Sequence, residues 1–288
     1  MTNLKPNLSI IIANYNNGHF FKDCYTSLVN QNETNWEAIV IDDCSSDTSI
    51  DLILPLIEGD SRFRFFKNEV NVGYQQTVRK AIELCRSDLF ARLDPDDALM
   101  PNAIEKSIKL HKEFPEVGLV YSNNIICDEY LNPLTRLNGS YIRHKGRQLT
   151  NEKFIFGEVG HFATFKKSIY DKTDGIDIFN RRAEDQDIYM KIFEISPVKY
   201  IDEELYLYRV HDGGVSTNEN SDKALFWHWV AIIKSAERQG INPEELFFKQ
   251  FVRIEMLDRE IYHINLIKKS RWMKIGRFLG FFKLYKNL

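Results

Sequence analysis

The sequence predicts an α/β protein built on a mostly parallel central sheet, and three observations carry that expectation. Leu8-Ser9-Ile10-Ile11-Ile12-Ala13 is a short, β-branched, almost continuously apolar run, the pattern of a strand buried on both faces. Behind it, runs of strand character alternate with stretches whose apolar residues recur at helical spacing, an order that favours parallel strands joined by crossover helices. The first run also ends in a polar turn, Asn14-Tyr15-Asn16-Asn17-Gly18, and later strands end likewise. Ligands of such sheets bind outside the carboxyl ends of the strands, so these turns are where function is expected.

The elements follow in order. Phe21, Cys24, Tyr25 and Leu28 mark one face of a helix, and Glu37 to Ile41 returns to strand. Asp42-Asp43-Cys44-Ser45-Ser46-Asp47 is the next turn and caps a helix through Ile57; Phe63 to Lys67 reads as a short strand. Val78, Ala81, Ile82 and Cys85 share a helix face, Leu89 to Leu93 is a strand, and Ile104, Ile108 and His111 lie on a helix that Pro101 opens. Gly118 to Tyr121 is strand again. From Asn124 to Lys172 the pattern loosens, with Gly139, Gly146, Gly157 and Gly160 among polar residues, as in loops that shape a second binding surface. After Ser216 the chain turns helical. The expected organisation is an α/β domain over 1–215, its halves meeting near 123/124, followed by a helical extension over 216–288.

Composition narrows the class. At 288 residues with 43% apolar content the chain can build a sizeable core. The net charge of −3 and pI near 6.2 supply no global basic field, so no nucleic-acid partner is expected. Cys24, Cys44, Cys85 and Cys127 are scattered and form no C-x-x-C pair, which points away from a disulfide framework or zinc site and toward a reducing, cytoplasmic compartment. The first residues do not read as a signal peptide, and no apolar run approaches a transmembrane length. The composition is silent on oligomeric state.

Chemistry concentrates in three acidic turns. Leu93-Asp94-Pro95-Asp96-Asp97 packs three carboxylates into four residues at a strand end. Either a hard divalent cation, Mg²⁺ or Mn²⁺, neutralises them, or Asp96 or Asp97 caps the following helix and the remaining acid is solvated. No G-x-G-x-x-G or G-x-x-x-x-G-K-S/T loop follows the first strand, so no glycine-rich helix N-terminus is available to cradle a diphosphate. A metal at Asp94 to Asp97 would do this instead. Asp42 and Asp43 cannot both face an apolar core, so at least one points into the crevice, where it can accept an imide N–H of uracil. Glu184-Asp185-Gln186-Asp187 precedes Ile188, Ile192 and Ile195 at helical spacing, a helix N-terminus that lowers carboxylate pKa. An acid there is either a cap or a general base.

Taken together these motifs resemble the inverting family 2 glycosyltransferases, which have the GT-A nucleotide-sugar fold. The resemblance runs over roughly Leu8 to Ser216. Ser9 to Asn16 is similar to the opening strand and turn, Val40 to Asp47 to the second, and Asn71-Val72-Gly73, the D-x-D motif at Leu93 to Asp97, Glu184-Asp185 and Tyr208-Arg209-Val210-His211 follow in family order. Ala13, Cys44 and Pro95 depart from the commoner residues without removing a ligand. The resemblance implies a metal-dependent transfer from a nucleotide sugar, a UDP-sugar favoured, to a saccharide or lipid-linked saccharide in cell-surface polysaccharide synthesis, moving a hexosyl or N-acetylhexosaminyl group.

Residue by residue it implies donor binding by Ala13, Asn14, Tyr15, Asp43, Asn71, Gly73, Asp94, Asp96 and Arg209. Tyr15 stacks on the base, and Arg209 offers charge to the diphosphate. Metal binding falls to Asp96, Asp97 and His211, with the division among the three carboxylates open. Asp185 is the base, with Glu184 and Asp187 supporting. His161 either lines the acceptor pocket or lies on the surface.

The tail from Leu266 to Leu288 carries Lys268, Lys269, Arg271, Lys274, Arg277, Lys283 and Lys286 with no acid, interleaved with Trp272, Phe278, Phe281, Phe282 and Tyr285. It reads either as an anchor for an anionic membrane surface at the cytoplasmic face or as a helix docked on protein. Two other functions compete. A nucleotidyltransferase shares the architecture and acidic metal ligands, although an early basic triphosphate loop is missing. A non-catalytic nucleotide-sugar-binding or membrane scaffold module would not need every carboxylate retained.

Overall fold

The computed structural model describes residues 5–134, 159–211, 220–244 and 253–269. Strands β1 (Leu8–Asn14) and β2 (Trp36–Asp42) are buried at all seven positions each, as their unbroken apolar character requires. Each fully buried Ile or Val in them contributes about 1.5–3 kcal/mol relative to exposure. Helix α1 (Phe21–Val29) buries Phe21, Cys24 and Leu28, and α2 (Ser49–Ile57) buries Ile53 and Ile57. β3 (Phe63–Lys67), α3 (Tyr74–Leu84), β4 (Leu89–Arg92) and α4 (Ala103–Glu113) follow where the sequence places them. A two-residue strand, β5 (Ala98–Leu99), precedes α4. β6 (Leu119–Cys127), β7 (Thr164–Lys166), α5 (Lys167–Tyr170), α6 (Glu184–Ile195) and β8 (Val198–Arg209) complete the sheet half of the chain.

Among the described residues the strands form one sheet in the order β3-β2-β1-β4-β7-β6-β8-β5. β3, β2, β1 and β4 run parallel, so their carboxyl ends lie side by side: Asn14 is in register with Asp42, and Arg92 with Ile11. The other half is mixed, because β7 inserts antiparallel between β4 and β6, and β5 runs antiparallel to β8. β6 and β8 are parallel, with register shifts at Ser122, Asn123 and Asn124. "Mostly parallel" therefore holds for the first half of the sheet and not for the second. Ile195, expected on the buried face of α6, is 49% exposed.

The chain divides into two compact units, residues 1–235 and 236–288. The boundary expected at 215/216 lies outside the described residues. The boundary between the units falls within helix α7 (Ser221–Gln239), and α8 (Arg253–Lys269) belongs to the second unit. No described helix is long and apolar enough to cross a membrane. Most of the basic tail, from residue 270 onward, also lies outside the described residues.

Candidate active site

The turn after β2 separates its two acids. Asp42 faces inward: Asn14 Nδ2 donates to its Oδ1 at 2.8 Å, and the Ser45 N–H and hydroxyl donate to Oδ2 and Oδ1 at 2.9 and 2.6 Å. Cys44, at φ 62°, turns the chain so that Asp43 reaches the cavity side. Asp43 Oδ1 accepts from Asn68 Nδ2 at 2.8 Å and the Val72 N–H at 3.0 Å; its Oδ2 accepts the Gly73 N–H at 2.9 Å. Gly73 sits at φ +91°, a region side chains rarely adopt, which is why glycine opens α3 here. Asn71 Oδ1 accepts from the same Gly73 N–H at 3.1 Å, and Tyr15 stands at the rim, 49% exposed. Asn14 Oδ1 is buried with no partner among the described residues.

The three clustered carboxylates occupy three different environments. Asp94 accepts from the Tyr74 hydroxyl at 3.0 Å and lies 3.5 Å from the Arg92 guanidinium. Asp96 Oδ2 is 2.9 Å from His211 Nε2. Asp97 is buried, and both of its oxygens are engaged: the Tyr206 hydroxyl donates to one at 2.6 Å and the Arg209 N–H to the other at 2.7 Å. Burial, with the charges of Asp96 and Asp94 added, pushes the Asp97 carboxyl well above the usual range despite those two donors. Its geometry is that of a pin between the acidic loop and β8.

Arg209 lines the cavity and also ties the loop to its surroundings. Its Nε donates to the Asp96 carbonyl, Nη1 to the Glu129 carbonyl, and Nη2 pairs with Asp23 at 2.7 Å. The guanidinium carbon lies 4.4 Å from the Phe20 ring centre. A guanidinium so committed clamps the loop and presents little of its fork to a phosphate.

Among the described residues no group of three or more His, Cys, Asp or Glu side chains stands together as a metal cage. The donor set at Asp96 and His211 nevertheless fits a divalent ion of the Mg²⁺ or Mn²⁺ type. Such ions take one or two protein ligands and complete their shell with substrate phosphates and water.

The second set of acids opens α6. Ala183 is left-handed at φ 55°, a strained conformation for a residue with a side chain, and it turns Glu184 and Asp185 back toward β4. There they meet Arg92, which is half-buried, its side chain 16% exposed, and unforeseen from the sequence. Its guanidinium pairs with Glu184 at 2.9 Å, Asp185 at 3.7 Å and Asp94 at 3.5 Å, and lies 3.1 Å from His161 Nε2. Residues i and i+2 of a strand share a face, so a cation two places before Asp94, between buried Ala91 and Leu93, was the available signal.

These neighbours drive the two adjacent acids apart. Burial raises Glu184 first, the Asp185 charge adds to it, and Arg92 opposes, leaving its pKa at about 7. Burial also raises Asp185, but Arg92, His161, the Gln186 N–H and His228 outweigh it and hold the carboxyl below its ordinary value. Asp187, by contrast, is fully buried and pairs with Lys191 at 2.7 Å. His161 lines the cavity and stacks on Tyr206 with ring centres 5.0 Å apart.

One cavity of about 860 Å³ gathers these pieces. It is lined by Ala13, Asn14, Tyr15, Asp43, Asn71, Gly73, Asp94, Asp96, Asp97, Glu184, Asp185, Arg209 and His211, together with Tyr74, Arg92, Arg181, Arg182 and His228, which the sequence did not single out.

The glycosyl transferase family 2 model matches residues 9–174. The chain is 28% identical to the chondroitin synthase of Escherichia coli over 271 residues, 94% of this chain and 37% of that protein. It is 26% identical to the hyaluronan synthase of Pasteurella multocida over 243 residues, 83% of this chain and 24% of that protein. The chain thus spans about a third or less of these relatives. An uncharacterized glycosyltransferase of Haemophilus influenzae is 25% identical over 283 residues and is matched along 92% of its own length. The fold is similar to S. aureus TarS in complex with UDP-GlcNAc, at 17% identity and a TM-score of 0.63 over 78% of this chain and 65% of that one. It is also similar to a Pyrobaculum calidifontis mannosyltransferase in complex with GDP-Man and Mn²⁺, at 13% identity and a TM-score of 0.64 over 98% and 82%. At these identities the two structures speak to the GT-A fold alone.

Proposed function

The chain belongs to glycosyl transferase family 2, and from that premise we propose that it moves a sugar from a UDP-sugar onto a saccharide hydroxyl, with inversion at the anomeric carbon. One observation carries this reading: a single cavity sets the acids of the β2 and β4 ends against Asp185 across one half-buried arginine.

On the donor side, Asp43 Oδ2 accepts one described hydrogen bond and so has capacity for the uracil imide N–H. Tyr15 covers the base, and Asp94 reaches the ribose. Asp96 and His211 would hold Mg²⁺ or Mn²⁺, which supplies positive charge to the departing diphosphate. Asp97 and Arg209 position that pair by fixing the loop to β8.

On the acceptor side, Asp185 takes the proton of the attacking hydroxyl. The oxygen–carbon bond forms as the bond from the anomeric carbon to the phosphate oxygen breaks, and the nucleoside diphosphate leaves with the electron pair. Arg92 keeps Asp185 ionised for this step while Glu184 carries the proton that the crowded pair retains.

The names of the relatives support a polysaccharide acceptor and a UDP-sugar, and the mannosyltransferase bound to GDP-Man and Mn²⁺ makes GDP-sugars the competing donors. The test is a panel of UDP- and GDP-sugars with Mn²⁺ or Mg²⁺, following thermal stabilisation and released products. A UDP-sugar should raise the melting temperature and release UDP. Pyrophosphate release would point to nucleotidyl transfer, and stabilisation by no nucleotide sugar would refute the donor site. The basic tail over 266–288 extends the reading to an anionic membrane surface. Flotation with anionic vesicles should be lost when residues 270–288 are removed, and unchanged flotation would sink that part.

A further inference from the structure

Behind Asp43 stands an amide whose own orientation is fixed. Asn68 follows β3 and is 5% exposed, and its N–H donates to the Asp42 carbonyl at 2.8 Å, continuing the pairing of β3 with β2. Its side chain meets three partners. Nδ2 donates to Asp43 Oδ1 at 2.8 Å and to the Thr77 hydroxyl oxygen at 3.1 Å, and Oδ1 accepts from Lys80 Nζ at 2.6 Å. Thr77 and Lys80 are three residues apart on α3, so one helix face supplies both. From this, and resting on the assignment of Asp43 to the nucleobase, we propose that Asn68, locked by Lys80, determines base specificity: it leaves Asp43 a single acceptor oxygen for the base and so selects uracil against guanine.

The lock comes first. An ammonium carries donors only, so the edge of the amide that faces Lys80 is its oxygen, and the NH₂ edge is turned to Asp43 and Thr77. Reversing the amide would set oxygen against the Asp43 carboxylate and NH₂ against the ammonium, two mismatches at a buried group. Both amide protons therefore have acceptors and the oxygen has a donor, which leaves Asn68 one stable orientation.

Capacity follows from the lock. Asp43 Oδ1 accepts the Asn68 amide and the Val72 N–H, at 2.8 and 3.0 Å, which fills an oxygen with two lone pairs. Oδ2 accepts the Gly73 N–H alone among the described residues, at 2.9 Å. The room left on the carboxylate is on Oδ2.

The bases differ in what they ask of it. Uracil presents one imide N–H between two carbonyl oxygens, one donor for one acceptor. Guanine presents N1–H and its 2-amino group side by side, a pair that a carboxylate takes with both oxygens at once. With Oδ1 filled, one of those guanine donors is left without a partner, and a site that strands a polar group of a ligand rejects that ligand. Asn68 acts through Asp43 and is a positioning residue.

The test measures Kd for UDP and GDP by titration calorimetry with Mn²⁺ on the full chain, for wild type, Asn68→Ala, Lys80→Met and Lys80→Arg, with melting temperatures recorded. Wild type should bind UDP more tightly than GDP. Asn68→Ala, which frees one lone pair of Oδ1, should narrow that ratio about tenfold, the size of one hydrogen bond to a charged group. Lys80 is exposed, so its replacement leaves the core intact. Lys80→Met should narrow the ratio by a smaller factor and Lys80→Arg, again a donor only, should restore it. A merely structural tie would weaken both nucleotides alike and leave the ratio where it was. That result in Asn68→Ala overturns the proposal, as does a wild type that binds GDP as tightly as UDP. If Asn68→Ala does not fold, an unmoved ratio in Lys80→Met overturns it. Failure of the base assignment itself is separate: it would show as wild-type UDP affinity in Asp43→Ala.

Discussion

Arg92 is the side chain on which the two halves of the cavity meet. It touches Asp94 of the donor loop and Glu184 and Asp185 of α6, and its charge is the largest influence holding Asp185 ionised against burial. Arg92→Met should therefore move the acidic limb of the kcat/KM profile to higher pH, with Arg92→Lys restoring part of the shift; a profile unmoved in Arg92→Met would contradict that role. Glu184 offers a stability readout of the same cluster. Its carboxyl titrates near 4.5 in the unfolded chain and at about 7 in the fold. The folded state holds the proton more tightly, so this contribution is fully present below about pH 4.5 and is lost as pH rises through 7. Its size is up to about 3 kcal/mol. Glu184→Gln, which cannot titrate, should flatten the fall in urea-unfolding free energy between about pH 5 and about pH 8; an unaltered slope would count against the buried assignment.

At the scale of elements, the carboxyl ends of β1, β2 and β4 deliver the donor side because those strands are parallel and in register. The turn after β1 is held against α2 by the Gly18 N–H donating to Ser49 Oγ at 2.8 Å. A Cβ at Gly18 would lie 2.4 Å from the Ser49 Cα, a backbone atom that cannot rotate away. Gly18→Ala should cost about 1–3 kcal/mol in chemical denaturation and weaken UDP binding, whereas a neutral result would show that the turn can move. These elements were legible because a strand buried on both faces has an unambiguous apolar pattern. β8 was not: Val198-Lys199-Tyr200-Ile201-Asp202-Glu203-Glu204 is half-buried, with Asp202 and Glu203 exposed, its pairing with β6 breaks register, and no periodicity betrays it. Yet β8 supplies Tyr206 and Arg209, the groups that bury Asp97. Hence the acidic motif was readable and the division of labour within it was not.

For the whole molecule, thirteen residues taken from six separate sequence motifs line one cavity, which is the convergence that a doubly covered sheet with polar strand ends predicts. Convergence of turns follows from strand order and is visible in sequence. Contacts between distant side chains, such as Arg92 with α6 and Arg209 with Asp23, depend on packing that no local pattern encodes. The central claim is that donor binding and proton removal sit on opposite walls of this cavity. Asp185→Asn, assayed for UDP affinity and for single-turnover transfer from the UDP-sugar that the donor panel selects, tests it most directly. Affinity for UDP should match wild type while transfer falls about a hundredfold or more, the contribution of a positioned general base. Transfer at the wild-type rate, or UDP affinity lost together with transfer, would contradict it.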